Sequence, residues 1–93
     1  MSFGLELIAE ERKRQIESEG WTDEHDDTHD GEQLARAAVC YAVPKFWRTV
    51  MIVDLMWPWN KSWWKPSPEN RIRELAKAGA LIAAEIDRLH RKS

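Results

Sequence analysis

The sequence predicts an all-α protein: a single small bundle of three helices, or four if residues 45–56 coil as well, with a Trp/Pro-rich irregular loop. Three observations predict it. Ile72, Leu75, Gly79, Ile82, Ile86 and Leu89 step 3, 4, 3, 4, 3, the spacing of one face of a helix. Apolar residues recur at similar intervals near the N-terminus and between Leu34 and Ala42. No two segments alternate in the way that would let a sheet form, and one strand alone is not stable.

The first helix is predicted over residues 3–19, with Leu5, Ile8, Arg12 and Ile16 on one face and the charges between them in water. Glu10 and Arg14 form a favourable i,i+4 pair, and Glu6 with Glu10 a like-signed one. Gly20 suits a left-handed stop. Residues 20–30 show no periodicity and are expected to be irregular; six acids fall between Asp23 and Glu32. The second helix is predicted over residues 31–43, capped by Asp30, with Glu32 complementing its dipole. Its stripe of Leu34, Ala37, Ala38, Tyr41 and Ala42 is mostly small, so a neighbouring helix can come close; Pro44 ends it.

Residues 45–56 fit a short helix or an apolar strand, and helix is favoured because no strand exists to pair with. Residues 57–67 are expected to be irregular, since Pro58, Pro66 and Pro68 fall within eleven residues. The last helix is predicted over residues 68–91, with Ser67 as N-cap, Pro68 at the first position and Glu69 in the first turn. Alanines 76, 78, 80, 83 and 84 flank its seam, and Arg88, His90, Arg91 and Lys92 suit its C-terminal dipole.

Composition narrows the function. The 14 Lys+Arg and 16 Asp+Glu give a net charge of −2, which argues against a dedicated duplex DNA binder. That balance hides a split: residues 1–32 hold eleven acids and three bases (net −8), residues 33–93 five acids and eleven bases (net +6). Such asymmetry points to a partner or to an internal electrostatic match. With 43% hydrophobic and 32% charged residues the chain is neither disordered nor membrane-embedded. The longest apolar run, Val50 to Trp59, contains Asp54 and Pro58 and is too short to span a bilayer. The N-terminus lacks the marks of a secretory signal, and Cys40 is a single cysteine suited to a small core position. A cytoplasmic setting is therefore expected.

Two constellations carry candidate chemistry. In the acidic loop, His25, Asp26, Asp27 and His29 supply imidazole and carboxylate donors that suit Mg²⁺, Mn²⁺ or Zn²⁺. The competing reading is an acidic surface loop whose Asp30 caps a helix. In the second, four tryptophans fall within eight residues beside lysines and a helix start. Trp59, Trp63 and Trp64 offer faces on which a base can stack, and Lys65, Arg71 and Arg73 can meet phosphate. Trp21 and Tyr41, as boundary aromatics, complete the candidate ligand-binding set. The competing reading makes these rings the core mass of a small domain. No Ser-His-Asp set, P-loop or GxGxxG is present, and no residue is assigned a catalytic role.

Glu19–His29, Ala37–Ala42, Trp57–Pro66 and Arg73–Arg91 together resemble a widespread group of short phage and prophage proteins, over most of the chain. The resemblance implies a gene product acting inside a bacterium, where small phage proteins adjust nucleotide pools, inhibit a host defence protein, or act as an oligomeric sponge for a nucleotide immune signal. The expectation is a non-catalytic homo-oligomer that sequesters a nucleotide-like ligand, the helix seam buried between copies and the acidic loop facing the cationic one across a subunit boundary. One alternative is a metal-dependent enzyme similar to the MazG-like nucleotide pyrophosphohydrolases, which hold Mg²⁺ with E-x-x-E and E-x-x-D pairs. Here Glu6 and Glu10 are four apart and Glu85 and Asp87 two apart, so both pairs depart from that pattern. The other alternative is a protein–protein inhibitor of a host defence protein, with exposed tryptophans as hot spots.

Overall fold

A computed structural model describes residues 2–48 and 51–93. The chain forms α1 (Phe3–Glu17), α2 (Asp23–Asp27), α3 (Gln33–Ala42), a 3₁₀ turn (Lys45–Arg48), α4 (Met51–Met56), a second 3₁₀ turn (Lys61–Trp63) and α5 (Arg71–Lys92). No strand occurs among the described residues, so the all-α class holds. None of their helices is long and apolar enough to cross a membrane.

Short polar side chains decide where most helices begin. The Leu5 amide donates to Ser2 Oγ at 3.2 Å, that of His25 to Thr22 Oγ1 at 3.3 Å, and that of Arg73 to Asn70 Oδ1 at 3.1 Å. The Thr22 cap places a one-turn helix inside residues 20–30, which the sequence reading leaves irregular. The Asn70 cap starts α5 at Arg71 rather than at residue 68. At Ser67 the amide donates to Glu74 Oε2 at 2.9 Å, and the carbonyl accepts from the Asn70 amide at 2.8 Å in a turn that precedes the helix. Nor does Asp30 cap α3, which begins after Glu32 in the left-handed region (φ 61°) with no side-chain cap. α1 ends at Glu17, two residues early, and Gly20 (φ 74°) then turns the chain so that the Trp21 amide reaches the Gln15 carbonyl at 3.0 Å. Within residues 45–56 the structure gives a 3₁₀ turn and a short helix rather than a strand; Thr49 and Val50 lie outside the described residues. Residues 57–67 are irregular apart from the turn at 61–63.

α5 is the spine, with α1 and α3 packed along it and α2 against it as well. The core joins Leu34, Ala37, Ala38, Cys40 and Tyr41 of α3 to Ala78, Leu81 and Ala84 of α5, closed by Trp57. The predicted α3 stripe therefore does face the core, and Cys40 is buried within it. α1 approaches α5 at Gly79, where an added Cβ would lie 2.5 Å from Ile8 Cδ1.

The helix faces are turned the other way from a simple amphipathic bundle. On α5 the seam residues Ile72, Leu75, Ile82, Ile86 and Leu89 are exposed, from 47% to 61%. Glu74, Lys77, Glu85 and Arg88 are buried instead. On α1, Leu5 and Ile16 are exposed while Glu11 and Gln15 are buried. Pairing makes this tolerable, because a buried charge is costly chiefly when left without a partner. Arg88 Nε meets Glu85 at 2.6 Å, Arg48 meets Glu74 at 2.7 Å, and Arg14 meets Glu11 at 2.7 Å.

Candidate functional site

Two segments far apart in sequence meet at one end of the bundle. α2 and the residues flanking its two caps supply Trp21, His25 and His29; the stretch after α4 supplies Trp57, Trp59 and Trp63. They are joined by rings. Trp21 stacks on His25 (centroids 5.5 Å, planes 11° apart), His25 meets His29 edge-on at 4.8 Å, and His29 meets Trp59 at 5.3 Å. Trp59 lies 6.2 Å from Trp21, which closes a ring of four aromatic side chains. Trp57 continues the wall inward, at 5.3 Å from Trp59 and 5.9 Å from Tyr41, with its indole N–H held by the Asn60 carbonyl at 3.1 Å. The acidic and tryptophan segments thus meet within one chain.

Beside this wall opens a cleft of about 680 Å³, within the size range of small-molecule sites. Its other side is cationic. Arg14 of α1 and Arg73 and Lys77 of α5 line it with Lys65, and Gln15, Asn60 and Leu81 fill between. Arg73, Lys77 and Leu81 are four apart, so successive turns of α5 present them on one side. Lys77 is buried: its Nζ donates to the Lys65 carbonyl at 3.1 Å and lies 5.4 Å from the Tyr41 ring centre. Burial, and then the charge of Arg73, pull its pKa below the ordinary lysine value. The Tyr41 hydroxyl accepts from the Lys65 amide at 3.3 Å, while burial pushes its pKa up.

The cations of the cleft differ in what they already hold. Arg14 is neutralised by Glu11 and by Glu19 at 2.9 Å. Arg12, Arg48, Arg71, Arg88 and Arg91 each also meet a carboxylate. Among the described residues, Lys65, Arg73 and Lys77 form no ion pair.

Of the sequence-predicted binding set, Trp21, Tyr41, Trp59, Trp63, Lys65 and Arg73 line the cleft. Trp64 and Arg71 stand outside it. Trp64 packs under Tyr41 at 4.7 Å, with Arg48 over its face at 5.7 Å. Arg71 closes the C-terminal end of α3, donating to the carbonyls of Tyr41 (2.9 Å), Ala42 and Val43 (3.3 Å). Its Glu74 neighbour is buried, which alone would push the carboxyl up; hydrogen bonds from Arg48 and the Ser67 amide outweigh this and hold it below the usual range.

The carboxylates proposed as metal donors are engaged by other side chains. Asp26 is fully buried and spends its oxygens on Arg12 (2.8 Å) and on His25 Nδ1 (3.0 Å). Asp27 meets Arg91 at 2.7 Å. His25 and His29 enter the cleft wall as rings, and His29 Nε2 is buried without a hydrogen-bond partner. Burial, and then His25, hold the His29 pKa below the ordinary histidine value. Among the described residues, no group of three or more His, Cys, Asp or Glu is placed to hold a metal ion. The acidic half of the chain has its internal electrostatic match here: α2 is tied to the basic end of α5 through Asp23, Asp27 and Arg91.

Sequence reasoning missed Arg14, Gln15, Glu19 and Lys77. Lys77 had a signal, since it falls one turn beyond Arg73; the α1 residues had none, because the reading turned Leu5 and Ile16 inward. Compared with known proteins, the chain matches no family model, no curated protein and no solved structure.

Proposed function

We propose that the cleft holds a phosphorylated, base-containing small molecule and that the protein sequesters this ligand rather than converting it. One observation carries the reading: three cations without carboxylate partners, Lys65, Arg73 and Lys77, share a cleft with open aromatic faces. Each half of a nucleotide finds its complement. A base stacks on indole, worth about 1–3 kcal/mol per base, and a phosphate offsets the charge of Arg73, which adds to burial in lowering the Lys77 pKa. Sequestration is favoured over hydrolysis because the acids nearest the cleft are already committed. Glu11 and Glu19 hold Arg14, and Asp26 holds Arg12 and His25. In the setting implied by the resemblance to short phage proteins, the ligand is a nucleotide signal of the host, taken out of circulation.

Tryptophan quenching or calorimetry with a panel of mono-, di- and cyclic nucleotides tests this. Trp59→Ala is expected to weaken binding by about 10–100-fold, and Arg73→Ala to weaken it and reduce its salt dependence. Both variants should keep the helical circular dichroism spectrum. Unchanged binding in both would remove the cleft from consideration, and metal-dependent release of pyrophosphate would replace sequestration by hydrolysis.

A further inference from the structure

The second unexplained feature is the outward stripe of α5. From Ile72 to Leu89 its exposed apolar positions are Ile72, Leu75, Ile82, Ile86 and Leu89. α1 extends the same surface. On α1, Gln15 turns to the cleft while Leu5 and Ile16 turn away from it; on α5, Arg73, Lys77 and Leu81 turn to the cleft and the stripe turns away. The two helices touch at Ile8 and Gly79, so the two apolar rows fall on the same side of the molecule. Ile72, Leu75, Ile82, Ile86, Leu89, Leu5 and Ile16 are each between 42% and 61% exposed. Together they leave roughly 700 Å² of largely apolar surface in water, close to what each partner gives to an interface of standard size. Monomeric proteins seldom expose so large an apolar patch without using it.

We infer that a second copy of this chain covers the stripe, making a two-fold dimer through α5 and α1. A two-fold axis sets the same exposed rows of both copies against each other, as an isologous interface requires. α1 crosses α5 at Gly79, and the larger residues on either side of that crossing, Ile72, Leu75, Ile82, Ile86 and Leu89, stay exposed. The 3-4 repeat is also the spacing by which helices of separate chains interlock. The dimer therefore carries two separate clefts, each complete within one chain and pointing away from the interface.

Light scattering and sedimentation of the ligand-free protein test this independently of what the cleft binds. The expected mass at micromolar concentration is twice the 10.9 kDa of the chain. Changing Ile82→Glu and Ile86→Glu together is expected to weaken dimerisation by more than about 100-fold, while helical circular dichroism persists. Isotope-filtered contacts between methyl groups of labelled and unlabelled wild-type copies should appear at Ile82 and Ile86, which decides the matter even if the double variant fails to fold. A wild-type monomer at sub-millimolar concentration overturns the proposal, whatever else the stripe then takes up. So does a dimer whose intermolecular contacts lie elsewhere, or one that survives the double substitution unchanged.

Discussion

The two sides of the α1–α5 pair obey opposite rules. On the inward side, buried carboxylates are paired: Glu74 with Arg48, Glu85 with Arg88, Asp26 with Arg12. On the outward side, isoleucines and leucines stand in water with nothing over them. Periodicity told which residues share a face, but it did not tell which face turns in. That choice went to shape and pairing. Small residues at Ala37, Ala38, Ala78, Ala80 and Ala84 let α3 and α5 come close, and the polar positions beside them each found a partner. A stripe of larger side chains would have held the helices further apart.

This contrast can be broken from the inside first. Glu74→Ala strands Arg48 in a buried position, at an expected cost of about 3–5 kcal/mol, measurable by urea unfolding; a loss below about 1 kcal/mol would mean that the buried pairs do not hold the inward face. Arg12→Met leaves Asp26 with His25 alone, and about 1–3 kcal/mol of stability should go with it. Next comes acid. The His29 pKa is held down in the folded chain by burial and then by His25, with Arg88 adding to this and Asp26 opposing it. The folded state therefore takes up that proton at lower pH than the unfolded state does. The contribution is complete above the unfolded value near ~6.5 and is lost as pH falls below it. The melting temperature should fall between about pH 7.5 and about pH 5.5, and His29→Gln should flatten that fall; an unaltered slope would remove His29 as its source. On the outer side the expectation is close to nothing. At dilutions that keep the chain monomeric, Ile82→Ser should shift stability by no more than about 0.5 kcal/mol. A larger loss would show that the stripe is packed within its own chain.

How far the sequence reached depends on whether the deciding contact was local. Gly20, Pro44 and the α3 stripe act within a few residues, and they were legible. The start of α5 is not: a turn closed from the Asn70 amide to the Ser67 carbonyl, with the Ser67 amide on Glu74, precedes it, and Asn70 caps the helix. The site divides in the same way. Trp21, Tyr41, Trp59, Trp63, Lys65 and Arg73 were found from residue type and do share a cleft. Trp64 and Arg71 have the same chemistry, but tertiary structure set one under Tyr41 and the other on the carbonyls that end α3. The sequence offers the histidines as donor atoms, while the fold stacks His25 on Trp21 and sets His29 edgewise to Trp59.

One missing methyl group connects the two sides. Ile8 rests where a side chain at Gly79 would be, so α1 and α5 can come this close there only because position 79 has no Cβ. Arg14 and Gln15 reach the cleft from one helix, Arg73 and Lys77 from the other, and the outer apolar rows ride on the same two rods. A methyl at position 79 would work as a wedge in a hinge, widening the mouth of the cleft while tilting the rows behind it. The proposed ligand capture and the proposed self-association would then share one mechanical dimension.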